Sequence, residues 1–271
     1  MFTLVELANT LEAVGLKHTD TVLIHSAASA IGEAEGGTEG ILQLLCDYFS
    51  GEGLLVMPAM TYTLIHRWDP QSERCRKCTV PEKYCFAHGL APNEIRRFRA
   101  DMPSCVGKLS NMFLRVPGVV RSLSITSSVA ALGKDAEDFT AGHELCESGC
   151  AVNSPWWKLM ERKGKIVMLG CGIENMTFLH GVAEWSRPRE YWSPDFAMPT
   201  EVCDAHGRKI HSEERRPVCG YSGNFKKFEE KLLEDAAIRK FRFGAAESLV
   251  GYSERIFQTV AGMLAEEPAM V

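Results

Sequence analysis

The sequence contains no run of about 18 consecutive apolar residues, the length that a helix needs to cross a bilayer, so no membrane-spanning segment is expected. Residues 1–16 also lack the basic start and apolar core of a secretory signal peptide. Basic residues are not in excess, because 30 Lys and Arg stand against 35 Asp and Glu, for a net charge of −5. That balance argues against a nucleic acid partner and favours a cationic ligand. We therefore expect a cytoplasmic protein that binds small molecules and neither nucleic acid nor membrane.

No internal repeat, low-complexity tract or Ser/Gly linker divides the chain, so residues 1–271 are predicted to form a single domain. The chain has ten cysteines, which in a reducing compartment are expected to be thiols. Cys46 and Cys171 have apolar neighbours in the sequence and are predicted to be buried. The oligomeric state is left open by the sequence.

The first 60 residues alternate between helix and strand. Helical periodicity extends from Thr3 to Val14 and, behind a Thr38 cap, over 38–49, while TVLIHS (21–26) and GLLVMP (53–58) are typical of strands. A strand, a helix and a second strand joined by a crossover of this length predict parallel pairing of the two strands.

The later part of the chain continues the mixed pattern. Lys165–Leu169 is predicted to be a buried strand, followed by a glycine-bearing loop and a helix with Thr177 as its N-cap. Residues 201–218 predict a hairpin, and 225–233 and 253–264 predict amphipathic helices. The expected fold is therefore α/β, a mixed sheet with flanking helices and an antiparallel addition near the C-terminus.

The helix after the Lys165–Leu169 strand carries His180 and Glu184. Residues four apart share a helix face, and the region beyond the C-terminal end of a strand is a usual place for chemistry in α/β proteins. A histidine beside a carboxylate is suited to proton transfer. The alternative is a surface or half-buried contact without a function, which is common at this spacing.

Six segments follow one another along the chain: TVLIHSAASAIGEAEGG, EGLLVMPAMTYT, MPSCVGKLSNMFLRVPGVVRSLSITSSVAALG, NSPWWKL, GKIVMLG and MTFLHGVAEW. In this order and spacing they resemble the aminoglycoside 3-N-acetyltransferase family. The resemblance extends from about Leu23 to Trp185, and the tail (DAHGRKI and SGNFKKFEEKL) is also similar.

The resemblance implies transfer of an acetyl group from acetyl-coenzyme A to a small-molecule amine, commonly an aminoglycoside amino group. It also implies a cytoplasmic enzyme with a mixed α/β fold of its own. His180 matches the family's histidine, which would act as base or proton relay for the amine. The family's carboxylate would orient that histidine, and Glu184 is the candidate for this role.

The resemblance further implies that two loops hold the coenzyme. Small residues after the first strand let the pantetheine arm approach the backbone, and backbone N–H groups of residues 104–107 would hold the thioester oxygen or the amide chain of the coenzyme. The alternative for both loops is an ordinary strand-to-helix turn, which also uses Ser and Gly. The predicted coenzyme contacts are His25, Ser26, Ala27, Ile31, Ser104, Cys105, Val106, Gly107 and Ser128.

The sequence departs from the family pattern near the predicted site. The family usually has its acid three residues after the histidine, where this chain has Ala183, so Glu184 lies about 100° further round the helix. Ser124, Ser127 and Met60 stand where histidines are usual, and serine cannot carry a proton near neutral pH. A second interpretation therefore stays open: a family member that has lost acetyl transfer and acts as a ligand- or metal-binding protein.

An insertion at about 63–102 contains a possible metal site. Cys75, Cys78, Cys85 and His88 follow a C-x2-C and C-x2-H pattern, which offers four ligands to a structural zinc ion. The alternative is a loop with free thiols or a single redox-sensitive C-x-x-C pair.

Overall fold

A computed structural model of the chain describes residues 1–61, 95–188, 197–215 and 222–271. Its strands form two sheets, one of seven strands and one of three. The strands are β1 (Thr21–Ser26), β2 (Leu54–Pro58), β3 (Arg96–Arg99), β4 (Val120–Arg121), β5 (Val129–Gly133), β6 (Lys165–Leu169), β7 (Ala197–Cys203), β8 (Lys209–Arg215), β9 (Ile238–Phe243) and β10 (Ala246–Tyr252).

The larger sheet has the order β4-β5-β2-β1-β6-β10-β9. The predicted parallel pairing of β1 with β2 is confirmed, and β6 lies parallel to β1 on its other side. The remaining neighbours, including β9 and β10 near the C-terminus, pair antiparallel. The prediction of a mixed sheet with an antiparallel addition is therefore confirmed. Parallel strands place their carboxyl ends at one edge, where α/β proteins bind ligands.

Helices cover both faces of the larger sheet. Leu23 and Met168 point to one face and pack in a core that includes Trp156 and Leu179. Ile24 and Val167 point to the other face, so the central strands are apolar on both faces. The helices are α1 (Leu4–Ala13), α2 (Gly37–Phe49), α3 (Lys108–Phe113), α4 (Ala136–Thr140), α5 (Pro155–Glu161), α6 (Phe178–Ser186), α7 (Glu229–Glu234) and α8 (Ser253–Glu266).

One predicted helix cap is wrong, and the other is confirmed in position but makes no side-chain bond. Helix α2 begins one residue before Thr38, and its N-cap is Gly36, a glycine at φ 68°. Thr177 precedes α6 but makes no side-chain cap bond, because its own backbone is already helical (φ −55°, ψ −28°) after the 3-10 turn Ile173–Asn175. Residues 222–228 form a 3-10 helix before α7, so the predicted helix there is α-helical only in its second half.

The smaller sheet has the order β3-β7-β8. The predicted hairpin is confirmed by antiparallel pairing of β7 with β8, and Asp204 closes its turn by accepting N–H bonds from His206 and Arg208. Strand β3 lies inside the segment predicted to be an irregular insertion, so that prediction is wrong for residues 96–99. The strand is fixed by Phe98, which is buried against Val202. In the described parts of the chain, no helix is both long enough and apolar enough to span a membrane.

Candidate active site

The loops that follow the central parallel strands pack directly on one another. The Ala27 N–H, just beyond β1, donates to the Leu169 carbonyl at 2.9 Å. Gly170, just beyond β6, has φ 67°, and a Cβ there would lie 2.7 Å from the Cβ of Ala30. Glycine is therefore required at this contact, which holds the ends of β1 and β6 together.

The second predicted coenzyme loop, residues 104–107, meets the first one. A Cβ on Gly107 would lie 3.8 Å from the Ser26 carbonyl oxygen, which is ordinary van der Waals contact. About 80 residues separate these loops in the sequence, and the fold brings them to the same edge of the sheet. The two loops therefore approach each other closely enough to serve one ligand.

The backbone of the 104–107 loop is largely occupied by internal hydrogen bonds. The Ser104 N–H donates to Asn111 Oδ1 at 2.9 Å, the Cys105 N–H to the Met60 carbonyl at 2.9 Å, and the Val106 N–H to Ser104 Oγ at 3.1 Å. These three N–H groups therefore have partners within the protein, and the expectation that the loop holds the thioester oxygen or the coenzyme's amide chain stays a prediction. The exposed Gly107 N–H has no partner among the described residues.

Asn111 is a site residue that sequence reasoning missed. Besides accepting from the Ser104 N–H, its Nδ2 donates to the Ser104 carbonyl at 2.8 Å and to the Gly107 carbonyl at 2.9 Å. One amide side chain thus fixes both ends of the 104–107 loop. No local pattern marks an asparagine in the first turns of a helix for this role.

His25 is buried at the end of β1, with 6% of its surface exposed. Its ring is stacked 6.5 Å from that of Trp156, and its Nε2 has no hydrogen-bond partner in the described part of the chain. Burial lowers the pKa of His25 to about 3, so the ring is neutral at physiological pH. A buried polar atom without a partner requires an explanation, of which a bound ligand is one.

Two other predicted coenzyme contacts have packing roles. Ile31 is fully buried beside α1 and α2, and its carbonyl accepts from the Ala245 N–H. Ser128 is also fully buried, and its hydroxyl donates to the Ala59 carbonyl at 2.7 Å. Both side chains are thus buried in packing contacts, and a coenzyme contact at Ile31 or Ser128 stays a prediction.

Arg121 was also missed as a residue that organises this edge. Its buried guanidinium donates to the carbonyls of Ala59, Ala100 and Met102 and lies 4.9 Å from the centre of the Phe98 ring. Burial lowers the pKa of Arg121 to about 9. The side chain remains a cation at pH 7 and joins the end of β2 to the segment that leads into residue 104.

The predicted proton-transfer pair lies on α6, beyond the end of β6. Glu184 is 8% exposed, and its Oε1 accepts a 2.5 Å hydrogen bond from Ser148 Oγ. His180 is half-buried, with its ring 4.7 Å from that of Phe225 in an edge-on contact. The structure thus gives Glu184 a defined partner that the sequence did not suggest.

Glu184 and Trp185 form one wall of a cleft of about 560 Å³. The opposite wall is the 141–153 loop, and the exposed side chains of Leu145 and Val152 belong to it. The cleft is large enough for part of a small-molecule substrate.

The residues at the positions of the family's usual histidines make hydrogen bonds within the protein. The Ser127 N–H donates to Ser124 Oγ at 3.1 Å, and the Ser127 carbonyl accepts from Trp156 Nε1 at 2.9 Å. Met60 is buried, and its carbonyl accepts from Ser104 and Cys105. In this chain these positions fix the loop and α5.

The predicted zinc ligands Cys75, Cys78, Cys85 and His88 lie outside the described residues. Within the described residues, no group of three or more His, Cys, Asp or Glu side chains is arranged to hold a metal ion. Cys46 is buried as predicted, whereas Cys171 is only partly buried. Burial raises the pKa of these two thiols to about 11 and about 12, so neither is a reactive thiolate near pH 7.

Curated relatives match about two thirds of the chain. The chain is 31% identical over 178 residues to the SPbeta prophage-derived aminoglycoside N(3')-acetyltransferase-like protein YokD of Bacillus subtilis, covering 66% of this chain and 63% of that protein. It is 28% identical over 174 residues to aminoglycoside N(3)-acetyltransferase III of Pseudomonas aeruginosa, covering 64% and 60%. The matched part thus spans less than two thirds of the length of these relatives.

Solved structures match nearly the whole fold. The crystal structure of YokD from Bacillus subtilis superimposes with a TM-score of 0.79 at 22% identity, covering 99% of this chain and 95% of that one. The structure of AAC-IIIb in binary complex with CoASH has a TM-score of 0.71 at 23% identity, covering 97% and 96%. At these identities the likeness establishes the fold.

The family model described as aminoglycoside 3-N-acetyltransferase matches residues 23–265, which is most of the 271-residue chain. The matched range includes both predicted coenzyme loops, the helix with His180 and Glu184, and the six quoted segments except the first two residues of the first segment, Thr21 and Val22. The chain therefore belongs to the aminoglycoside 3-N-acetyltransferase family.

Proposed function

We propose that the chain transfers an acetyl group from acetyl-coenzyme A to an amino group of a small molecule, with the 3-amino group of an aminoglycoside as the first candidate. The observation that carries this proposal is the close approach of Gly107 to Ser26, where a Cβ added to Gly107 would lie 3.8 Å from the Ser26 carbonyl oxygen. This approach brings the two predicted coenzyme loops together at the carboxyl edge of the parallel strands. Family membership supports the reaction, and the names of the relatives support the acceptor.

The loop residues fit a coenzyme arm. The two loops consist mainly of residues with small side chains, Ser26 and Ala27 in one and Cys105, Val106 and Gly107 in the other. The exposed Gly107 N–H offers a donor to a carbonyl of the bound coenzyme. The solved relative that contains CoASH supports coenzyme A as the occupant.

The acceptor amine must lose a proton before it can attack, because an ammonium group has no lone pair. His180 would take this proton, since an imidazole ordinarily titrates near neutral pH. Glu184 would stabilise the charged ring and the incoming cation. A C–N bond to the acetyl carbon forms as the C–S bond breaks, and coenzyme A leaves as its thiol after receiving a proton.

The test is release of coenzyme A thiol by the purified full chain, with acetyl-coenzyme A and the aminoglycoside sisomicin as substrates. His180→Ala should lower turnover by about 10²- to 10⁴-fold with little effect on folding, because it removes the proton acceptor. Glu184→Gln should lower turnover by a smaller factor. If both variants lowered turnover by the same small factor, His180 and Glu184 would be an ordinary contact without a catalytic role.

Thermal-shift titration with coenzyme A separates binding from transfer. Coenzyme A at 100 times its dissociation constant should add roughly 2.7 kcal/mol to the free energy of unfolding. A shift without thiol release from any amine would support the binding-only interpretation. No shift at millimolar coenzyme A would remove the coenzyme assignment.

A structural zinc site at Cys75, Cys78, Cys85 and His88 is a separate proposal, supported by the ligand types and their spacing. Metal analysis of protein purified without chelator should find one zinc per chain. Much less than one, with the three thiols fully titratable in the native protein, would contradict it. A cytoplasmic location is proposed because the thiols and the co-substrate suit a reducing compartment.

A further inference from the structure

The loop of residues 147–150 contacts the helix that carries the proposed proton-transfer pair. Ser148 Oγ lies 2.5 Å from Glu184 Oε1, and the two residues are 3% and 8% exposed. A hydroxyl donating to a carboxylate at this distance is a charge-assisted bond, stronger than a neutral one. The bond connects residues that are 36 positions apart in the chain.

The loop is fixed relative to α6 at a second point. The Cys150 N–H donates to Ser148 Oγ at 3.3 Å, which sets the direction of the hydroxyl. The Cys150 carbonyl in turn accepts from Trp185 Nε1 at 2.8 Å. Two consecutive helix residues, Glu184 and Trp185, are therefore held by one short loop, so Ser148 cannot move independently of the helix.

Gly149 fixes the other side of the loop. A Cβ at this position would lie 2.3 Å from Thr126 Oγ1 and 2.6 Å from Ser127 Oγ, so only glycine fits. The Gly149 carbonyl accepts from His143 Nε2 at 2.8 Å, while His143 Nδ1 bonds to Ser122 Oγ at 2.8 Å. Residues 147–150 thus pack against residues 124–127 on one side and are bonded to Glu184 on the other.

We propose that Ser148 is a positioning residue for acetyl transfer: its hydroxyl fixes the Glu184 carboxylate in the direction needed to serve the amine. This inference rests on the proposed function. A glutamate has three rotatable side-chain bonds, and a single strong bond to Oε1 selects among its rotamers. Since the loop is anchored at Gly149 and Cys150, it determines where the carboxylate points in the cleft.

The first experiment compares three variants by thiol release with acetyl-coenzyme A and sisomicin. Ser148→Ala should lower kcat by roughly 10- to 100-fold, the effect of losing one hydrogen bond to a charged group. The KM for acetyl-coenzyme A should change by less than about twofold, because the coenzyme loops are not touched. Ser148→Thr, which keeps the hydroxyl, should recover most of the loss.

Ser253→Ala is the matched control. Ser253 is also fully buried and donates one side-chain bond, to the Leu159 carbonyl at 3.1 Å, but it lies at the start of α8 outside the proposed machinery. This variant should keep the wild-type kcat. A fall in kcat equal to that of Ser148→Ala would show that any lost buried hydroxyl has this effect, and would overturn the inference.

A double-mutant cycle tests whether Ser148 acts through Glu184. In a Glu184→Ala background, Ser148→Ala should lower kcat by no more than about twofold, because the group that it positions is absent. Independent, multiplying losses would overturn the inference even if each single variant is impaired. An unchanged kcat in Ser148→Ala would also overturn it.

The four proteins of this cycle are also compared by urea unfolding, which does not depend on activity. Non-additive losses of stability are expected because the two side chains are bonded, and additive losses would overturn the bond itself. A wild-type chain that binds coenzyme A but acetylates neither sisomicin nor gentamicin would refute the proposed acceptor. In that case the positioning role of Ser148 would fail together with the proposed acceptor. An active wild type whose double-mutant cycle is additive would refute only the positioning role of Ser148.

Discussion

Replacement of Asn111 by alanine should weaken coenzyme A binding without unfolding the protein. The Asn111 side chain makes three hydrogen bonds to the 104–107 loop, one to the Ser104 N–H and two to the carbonyls of Ser104 and Gly107. It makes these bonds from the first turns of α3, so the loop is held to a rigid element. Its removal leaves the loop tied mainly by the bonds to Met60.

The size of the effect follows from these bonds. A net contribution of about 0.5–1.5 kcal/mol for each bond gives a loss of roughly 2–4 kcal/mol in the ordering of the loop. When the coenzyme binds the variant and orders this loop, part of the lost ordering free energy is subtracted from the binding free energy. Since 1.4 kcal/mol is tenfold in affinity, the dissociation constant for coenzyme A should rise by about 10- to 100-fold.

Isothermal titration calorimetry with coenzyme A measures this change directly. Asn175→Ala is the control, because Asn175 is an exposed amide with a weaker bond of 3.4 Å to the Gly172 carbonyl. The control should bind like the wild type. A folded Asn111→Ala protein whose dissociation constant stays within about twofold of the wild-type value would refute a coenzyme role for the loop.

Two further predictions concern stability. Burial lowers the pKa of His25 to about 3 and that of His143 to about 4. As the pH falls below about 6.5, these two rings therefore bind protons in the unfolded state and not in the folded state. The free energy of unfolding should then drop by roughly 4 kcal/mol between pH 8 and pH 5. Urea unfolding at the two pH values checks this, and equal stability would contradict the neutral, buried state of both rings. Lys165→Met should cost about 3–5 kcal/mol, because the buried Lys165 amine lies 2.6 Å from Asp20 Oδ2. Lys163→Met, which removes an exposed pair at 3.6 Å, should cost less than about 1 kcal/mol; similar losses in the two variants would argue against the buried pair.

Several elements were predictable from local sequence. Strands β1 and β6 are formed by short apolar runs rich in β-branched residues, and their bounds match the prediction. The hairpin around Asp204 follows from a short polar turn between two alternating segments. The placement of His180 and Glu184 on one helix is also local, because helical periodicity depends only on neighbouring residues.

The caps and the roles of loop residues were not predictable in the same way. Thr38 suits an N-cap chemically, but the N-cap is the left-handed Gly36, and the helix begins at Gly37, one residue before Thr38. Ile31 and Ser128 lie within segments typical of a coenzyme site, yet tertiary packing buries both. Burial depends on which distant elements cover a residue, and the local sequence does not contain that information.

The family, the parallel pairing of the first two strands and the helix that carries His180 and Glu184 are predicted from periodicity and from the order of short motifs, which are local properties of the sequence. The groups that surround His180 and Glu184 depend on the tertiary structure. Ser148 meets Glu184 across 36 residues, and Gly107 meets Ser26 across about 80. Such contacts arise because strands distant in the sequence pair in one sheet and bring their loops to the same edge.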